Sequence, residues 1–209
     1  LPDGRFVYRY DPVTNAVLPE GTYSLPRHAG TIYSLSHLHR ATKDARFAEA
    51  AEQALVWLEG RIGSCGGERA CVLDAPEPRL GASALALIAV LEHARATNDR
   101  RRHDLARRLA AFVLALQGGD GELVHAWDRA ADAPRPIPKQ MFASEEAALA
   151  LVLAHEALGD PAYLGAAERA LDYLTARKYD FFLGRFIYGA DAWTCIAADE
   201  AWPRLRKPS

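Results

Sequence analysis

Glu145 and Glu146 stand side by side, and Asp191 follows 45 residues after Glu146. Carboxyl groups brought to one cleft can divide acid and base roles, which is the arrangement that glycosidic cleavage requires. Each of these residues opens a stretch that reads as a helix, where a carboxylate also stabilises the helix N-terminus without any chemistry. Upstream, Arg27 and His28 open another such stretch. The arginine could grip a carboxylate with two parallel hydrogen bonds, and the histidine could move protons near neutral pH. Their alternative is loop packing. Tyr8, Tyr10, Tyr23, Trp127, Tyr188 and Trp193 fall in the connecting segments. Their flat faces and polar tips suit sugar rings. Some recur at matching places, Tyr8 with Tyr188 and Tyr10 with Trp127, which packing of the connections would also produce. The candidate set is therefore Glu145, Glu146, Asp191 and His28 for catalysis, and Arg27, Tyr23, Trp127, Tyr188 and Trp193 for substrate.

The elements that must position these groups come from a repeat. Residues 144–177 read as two helices joined by a Gly-Asp-Pro turn. The first is apolar without a break over 147–154, so it must be buried on all sides. In the second, Tyr163, Ala167, Leu171 and Leu174 form one face, with Glu168, Arg169 and Asp172 outside. ARFAEAAEQALVWL (45–58) aligns without gaps on PAYLGAAERALDYL (161–174), and RRRHDLARRLAAFVLAL (100–116) is a third copy. The short turns before them start at 41, 96 and 157, so they lie 55 and 61 residues apart. A second feature precedes each first helix: DGRFVYRYD (3–11), DGELVHAWD (120–128), GRFIY (184–188) and, more weakly, ERACVLD (68–74). These predict short strands or extended loops. The spacing predicts helices over 28–41, 44–59, 80–96 and 100–117, a pair within 144–177, and one near 190–201 that stops at Pro203. The result is an all-α fold of repeated hairpins in two layers, about three and a half units, with short β segments in the loops. No long linker interrupts the chain, and the proline-rich 131–139 reads as a rigid surface connection.

Half of the 209 residues are hydrophobic and the net charge is −2, so no global field draws the chain to nucleic acid. The longest apolar runs fall short of the roughly 20 residues of a membrane span. Arginines 100–102, 107 and 108 read as a solvated outer face. His39 and His155 precede inter-helix turns and read as cations at helix C-termini. Cys65 and Cys71 either close a small disulfide ring, which would place the protein outside the cytoplasm (periplasmic or secreted), or remain free thiols of a cytosolic loop. Cys195, in an apolar run, is expected to be buried. No cysteine and histidine set lies at metal-ligand spacing, and no metal or cofactor is expected. Neither a G-x-S-x-G elbow, a phosphate-binding GK[ST] loop nor H-E-x-x-H occurs.

DGRFVYRYDP, RHAGTIYSL (27–35), EEAALALVLAHEALGDPAYLGAAERALDYL (145–174) and GADAWTCIAADEAW (189–202) give the chain its resemblance to the α/α-toroid, six-hairpin glycosidase-like superfamily. It resembles most the bacterial sugar-epimerase and glucuronyl C5-epimerase C-terminal-like domains. The resemblance implies acid/base chemistry on a glycan or uronic-acid polymer, as hydrolase, lyase or epimerase, with substrate held at a mouth formed by the loops before the inner helices. A closed toroid has six hairpins. Residues 1–209 are therefore expected to be one toroid-like domain or a fragment of a longer ring, completed by a second copy or a partner domain. The alternative is a non-catalytic helical-repeat module that binds a partner protein or glycan.

Overall fold

The computed structural model describes residues 1–18, 23–181 and 191–205, the side chains of 178–181 and 191 excepted. Its first unit is a two-stranded hairpin, β1 (Tyr10–Asp11) and β2 (Ala16–Val17), followed by α1 (Leu25–Thr42) and α2 (Ala45–Glu59). The second is β3 (Ile62–Ser64), β4 (Ala70–Val72), α3 (Leu80–Thr97) and α4 (His103–Ala115). The third is β5 (Ala126–Asp128), β6 (Ala133–Arg135), α5 (Ala143–Leu158) and α6 (Pro161–Phe181). Helix α7 (Asp191–Leu205) begins a fourth. All three strand pairs are antiparallel.

Helices α1, α3, α5 and α7 pack side by side as an inner row, and α2, α4 and α6 each cover the inner helix before them. The expected all-α, two-layer arrangement of about three and a half hairpins is what folds. Burial follows the sequence pattern. In α5 every residue from 147 to 154 is buried, and in α6 Tyr163, Ala167, Leu171 and Leu174 face inward. Burying each large aliphatic side chain contributes about 1.5–3 kcal/mol. Helix α3 has the length and apolar content of a membrane span, which the run-length reading missed, but 83% of it is buried among its neighbours.

The turn repeat has a local cause. Lys43, Asn98 and Gly159 each take a left-handed conformation at the end of an inner helix. The aspartate that follows then accepts a backbone N–H two residues on: Asp44 from Arg46, Asp99 from Arg101 and Asp160 from Ala162. His39 and His155 recur because Nδ1–H of each donates to the carbonyl of that aspartate, both at 3.0 Å. This hydrogen bond fixes their place beside the helix C-termini.

Several expectations need correction. ERACVLD holds a second hairpin strand, β4, whereas DGRFVYRYD and DGELVHAWD supply first strands. The stretch 131–139 is more than a connection, since Pro134 pairs with Trp127 in β6; a proline fits there because an edge strand needs no donor toward solvent. Helix α7 runs through Pro203 to Leu205. Helix α4 begins three residues late, because Asp99 caps a local turn and Arg102 leaves for α2. There Arg102 meets both oxygens of Glu52 at 2.7 Å and also Glu59, so it is no solvated charge. Cys195 is exposed rather than buried. The segment 184–188 lies outside the described residues.

Cys65 and Cys71 are joined in a disulfide that closes the β3–β4 turn, and both are buried. Cross-linking so short a loop removes roughly 2 kcal/mol of chain entropy from the unfolded state. Cys71→Ser is expected to lower unfolding free energy by about 2 kcal/mol in urea melts, and reductant should have the same effect on the wild type and none on the variant.

Candidate functional site

The N-terminal ends of the inner helices surround a cleft of about 540 Å³. This volume is within the usual range for small-ligand sites. Arg27 and Gly30 come from α1, Asp74 and Arg79 from the loop before α3, Gly81 and Leu85 from α3, Phe142 and Glu146 from the start of α5, and Trp193 from α7. Three sequence candidates, Arg27, Glu146 and Trp193, thus meet in one place. Another cavity, about 190 Å³, lies at the opposite ends of α3 and α5, away from all of them.

Glu146 is 8% exposed and has no ion-pair partner among the described residues. Burial, with the charge of Glu145 beside it, pushes its carboxyl up to about 8. It is therefore protonated at neutral pH. Its Oε2 lies against the first turn of α3, where a Cβ on Gly81 would stand 3.2 Å away. Glycine at 81 leaves the slot this carboxyl occupies. The backbone N–H of Glu146 donates to the carbonyl of Phe142 at 2.8 Å. Phe142 itself is left-handed, φ 74°, an unusual state for a bulky residue and one found where a site dictates backbone shape.

His125 fixes this corner. Its Nδ1 accepts the Gln140 N–H at 2.7 Å, its Nε2–H donates to Ser144 Oγ at 2.8 Å, and its carbonyl receives the Leu80 N–H at 3.1 Å. One residue thereby ties the entry of α5 to the start of α3. Burial pushes its imidazole down to about 4, which keeps it neutral and able to make both ring bonds.

Arg27 is anchored rather than free to swing, since Nη1 donates to Tyr8 Oη at 2.8 Å. Trp193, half-buried, packs its ring 5.7 Å from that of Tyr33 of α1, tilted by 49°. Among the described residues, no three His, Cys, Asp or Glu side chains gather closely enough to hold a metal ion.

Other candidates lie elsewhere. His28 is buried and points outward to α2: Nε2–H donates to the Ala54 carbonyl at 2.9 Å and Nδ1 accepts from Tyr23 Oη at 2.8 Å. Burial lowers its pKa. With both nitrogens committed, it holds α1 to α2. Tyr23 Oη also accepts the Phe6 N–H at 3.0 Å, so its polar tip is committed to the same chain of bonds. Trp127 is 2% exposed, packed on Phe112 with the Arg69 guanidinium 4.6 Å above its ring. Glu145 is buried and does not line the cleft. The Asp191 side chain and Tyr188 lie outside the described residues. His28→Ala is expected to cost about 2–3 kcal/mol by stranding the Ala54 carbonyl and the Tyr23 hydroxyl, which urea melts would read.

No protein-family model matches the sequence, and no curated protein matches it. Solved structures do. A family 76 α-mannanase of Bacteroides thetaiotaomicron superposes with TM-score 0.73 at 19% identity, over 92% of this chain and 57% of that one. Cellobiose 2-epimerase from Bacillus thermoamylovorans gives TM-score 0.71 at 14% identity, over 92% and 59%. An inactive α-1,6-mannanase variant from Salegentibacter sp., with two adjacent aspartates replaced by alanine and α-1,6-mannotetrose bound, gives TM-score 0.64 at 16% identity, over 85% and 52%. The chain has the α/α-toroid fold of these six-hairpin glycosidase-like proteins, and it spans somewhat more than half their length.

Proposed function

We propose that this chain is a glycan-processing hydrolase of the α/α-toroid type, with Glu146 as its general acid. The observation that carries this reading is a buried carboxyl, protonated at neutral pH, on the wall of the cleft at the inner-helix mouth. Such a group can give its proton to a departing glycosidic oxygen. Arg27 and Arg79 offer donors to sugar hydroxyls or a uronic carboxylate, and Trp193 and Phe142 offer apolar faces. The adjacent pair Glu145 and Glu146 has a chemical parallel in the mannanase whose adjacent aspartates, once replaced, leave it inactive. Glu145 acts here by raising Glu146. Asp191, at the start of α7, is the sequence candidate for a second carboxylate.

A cleft with two arginines and a tryptophan favours a glycan over the purely apolar groove that a helix-binding module needs. The disulfide favours an extracytoplasmic site of action. Residues 1–209 act as one toroid-like unit, whose ring a second copy or a partner domain would complete.

Incubation with α-1,6-mannotetrose, cellobiose and polygalacturonate, with products separated by chromatography, tests the reading. Release of shorter sugars by the wild type and not by Glu146→Gln supports it. Equal release by both removes Glu146 from the chemistry.

A further inference from the structure

We propose that Asp74 is a second catalytic carboxylate of this cleft, the base that activates water. The inference rests on the hydrolase reading above and names a residue that the repeat pattern disguises. Asp11, Asp74 and Asp128 end three similar motifs. Asp11 accepts the backbone N–H of Val13, and Asp128 accepts those of Ala130 and Ala131, so both shape hairpin turns. Asp74 does neither. It follows the second strand of its hairpin, lines the cleft with Glu146, and makes no ion pair among the described residues.

Its backbone is held at both ends of the loop. The Val72 N–H donates to Ser83 Oγ at 3.1 Å and the Leu73 N–H to the Arg61 carbonyl at 2.8 Å. At the far end, the Leu80 N–H donates to the His125 carbonyl and the Trp127 N–H to the Pro78 carbonyl. An acid on so restrained a loop is preorganised for its task. Its surroundings also differ from those of Glu146. Asp74 is an exposed residue at the rim whose carboxyl is partly shielded, and that burial raises its pKa while Arg79 pulls the other way. Glu146 is enclosed. Two carboxyls in one cleft, one open to water and one shielded, divide into base and acid.

The balanced step is a hydrolysis. The Asp74 carboxylate takes a proton from water as the water oxygen bonds to the anomeric carbon. The glycosidic C–O bond breaks, its electron pair stays on the leaving oxygen, and that oxygen takes the Glu146 proton. Asp74 ends protonated and Glu146 ionised; solvent exchanges one proton with each to reset them.

The test compares wild type, Asp74→Asn, Asp74→Ala, Asp191→Asn and Glu146→Gln on whichever of α-1,6-mannotetrose, cellobiose and polygalacturonate the wild type cleaves, with thermal melts confirming folding. The expected result is a kcat loss of about 10²–10⁴-fold in Asp74→Asn. The acid limb of its pH profile should also vanish, because no base remains to be protonated there. Azide, a nucleophile that needs no base, should restore product in Asp74→Ala. Wild-type rates in Asp74→Asn beside a dead Glu146→Gln overturn this inference alone, and a dead Asp191→Asn would then move the base to α7. A wild type that cleaves none of the three sugars overturns the hydrolase reading, and this role with it.

Discussion

Glu146→Gln is expected to lose turnover by about 10²–10⁴-fold and to melt at a higher temperature than the wild type at neutral pH. The two effects share one cause. The enclosed carboxyl is pushed from an ordinary 4.5 up to about 8. A group whose folded pKa is raised gives its full stability below the unfolded pKa, and that contribution is lost as pH rises toward the folded value. At pH 7 this protonation linkage costs about 3 kcal/mol relative to acid solution, an order-of-magnitude figure. Glutamine keeps the shape and never ionises, so it is free of that cost. The wild type should weaken from pH 5 to pH 8 while the variant changes less, which calorimetry at three pH values reads directly. Wild-type activity should fall as pH rises through about 8, where the acid gives up its proton. A variant that is less stable at every pH and still active would show that Glu146 serves only to pack α5 on α3.

Much of this architecture is legible in sequence because its causes are local. The αL residue and capping aspartate of each turn, and the apolar runs of α3 and α5, lie within a few residues of one another. Side-chain direction within a correctly placed helix is harder to read. Arg27 and His28 are consecutive, hence about 100° apart on α1. One lines the mouth and the other bonds to α2. Glu145 and Glu146 divide the same way. The position of the outer layer around each inner helix decides which neighbour opens to the cleft, and no local pattern records it. Arg102 fails for a related reason, since its partners Glu52 and Glu59 are 50 and 43 residues away. Asp74 and Arg79 lie in a loop with no periodicity, so only the repeated terminal aspartate marked the region. Its meaning changed once that motif proved to be a second strand.

The inner row is also joined across its far ends by charge, which sequence does not disclose. Glu92 of α3 is 1% exposed and meets Arg40 and, at 3.2 Å, His37, both of α1. Arg95 of α3 reaches Glu200 of α7 at 3.0 Å, and Arg204 of α7 reaches Glu156 of α5 at 2.9 Å. These pairs tie all four inner helices together opposite the mouth. The mouth can therefore carry Asp74, without an ion pair among the described residues, and a buried Glu146 on a scaffold anchored elsewhere.

Gly121→Ala is expected to destabilise the protein by about 3–4 kcal/mol, combining a left-handed backbone that alanine resists with a clash that no rotamer relieves. Gly121 has φ +91°, and a Cβ there would run into the backbone carbonyl of Arg169 on α6. Gly4 repeats the geometry in the first unit, with φ +90° and the Gln53 carbonyl of α2 in the way. The recurring Asp-Gly at 3–4 and 120–121 is thus where each unit's leading segment crosses its own outer helix with no room for a side chain. At about 2–4 °C per kcal/mol for a chain of this size, the melting temperature should fall by roughly 10 °C. Gly119→Ala is the control, since a Cβ there meets open space. It should melt within about 2 °C of wild type, in keeping with surface changes of about 0.5 kcal/mol. Because Gly121 stands just before the segment that carries His125, the Gly121→Ala variant also asks whether loosening the outer layer reaches the cleft. Wild-type kcat well below its melting point would mean that His125 still holds α5 against α3, whereas a loss of rate in the folded variant would mean that the crossing and the site move together.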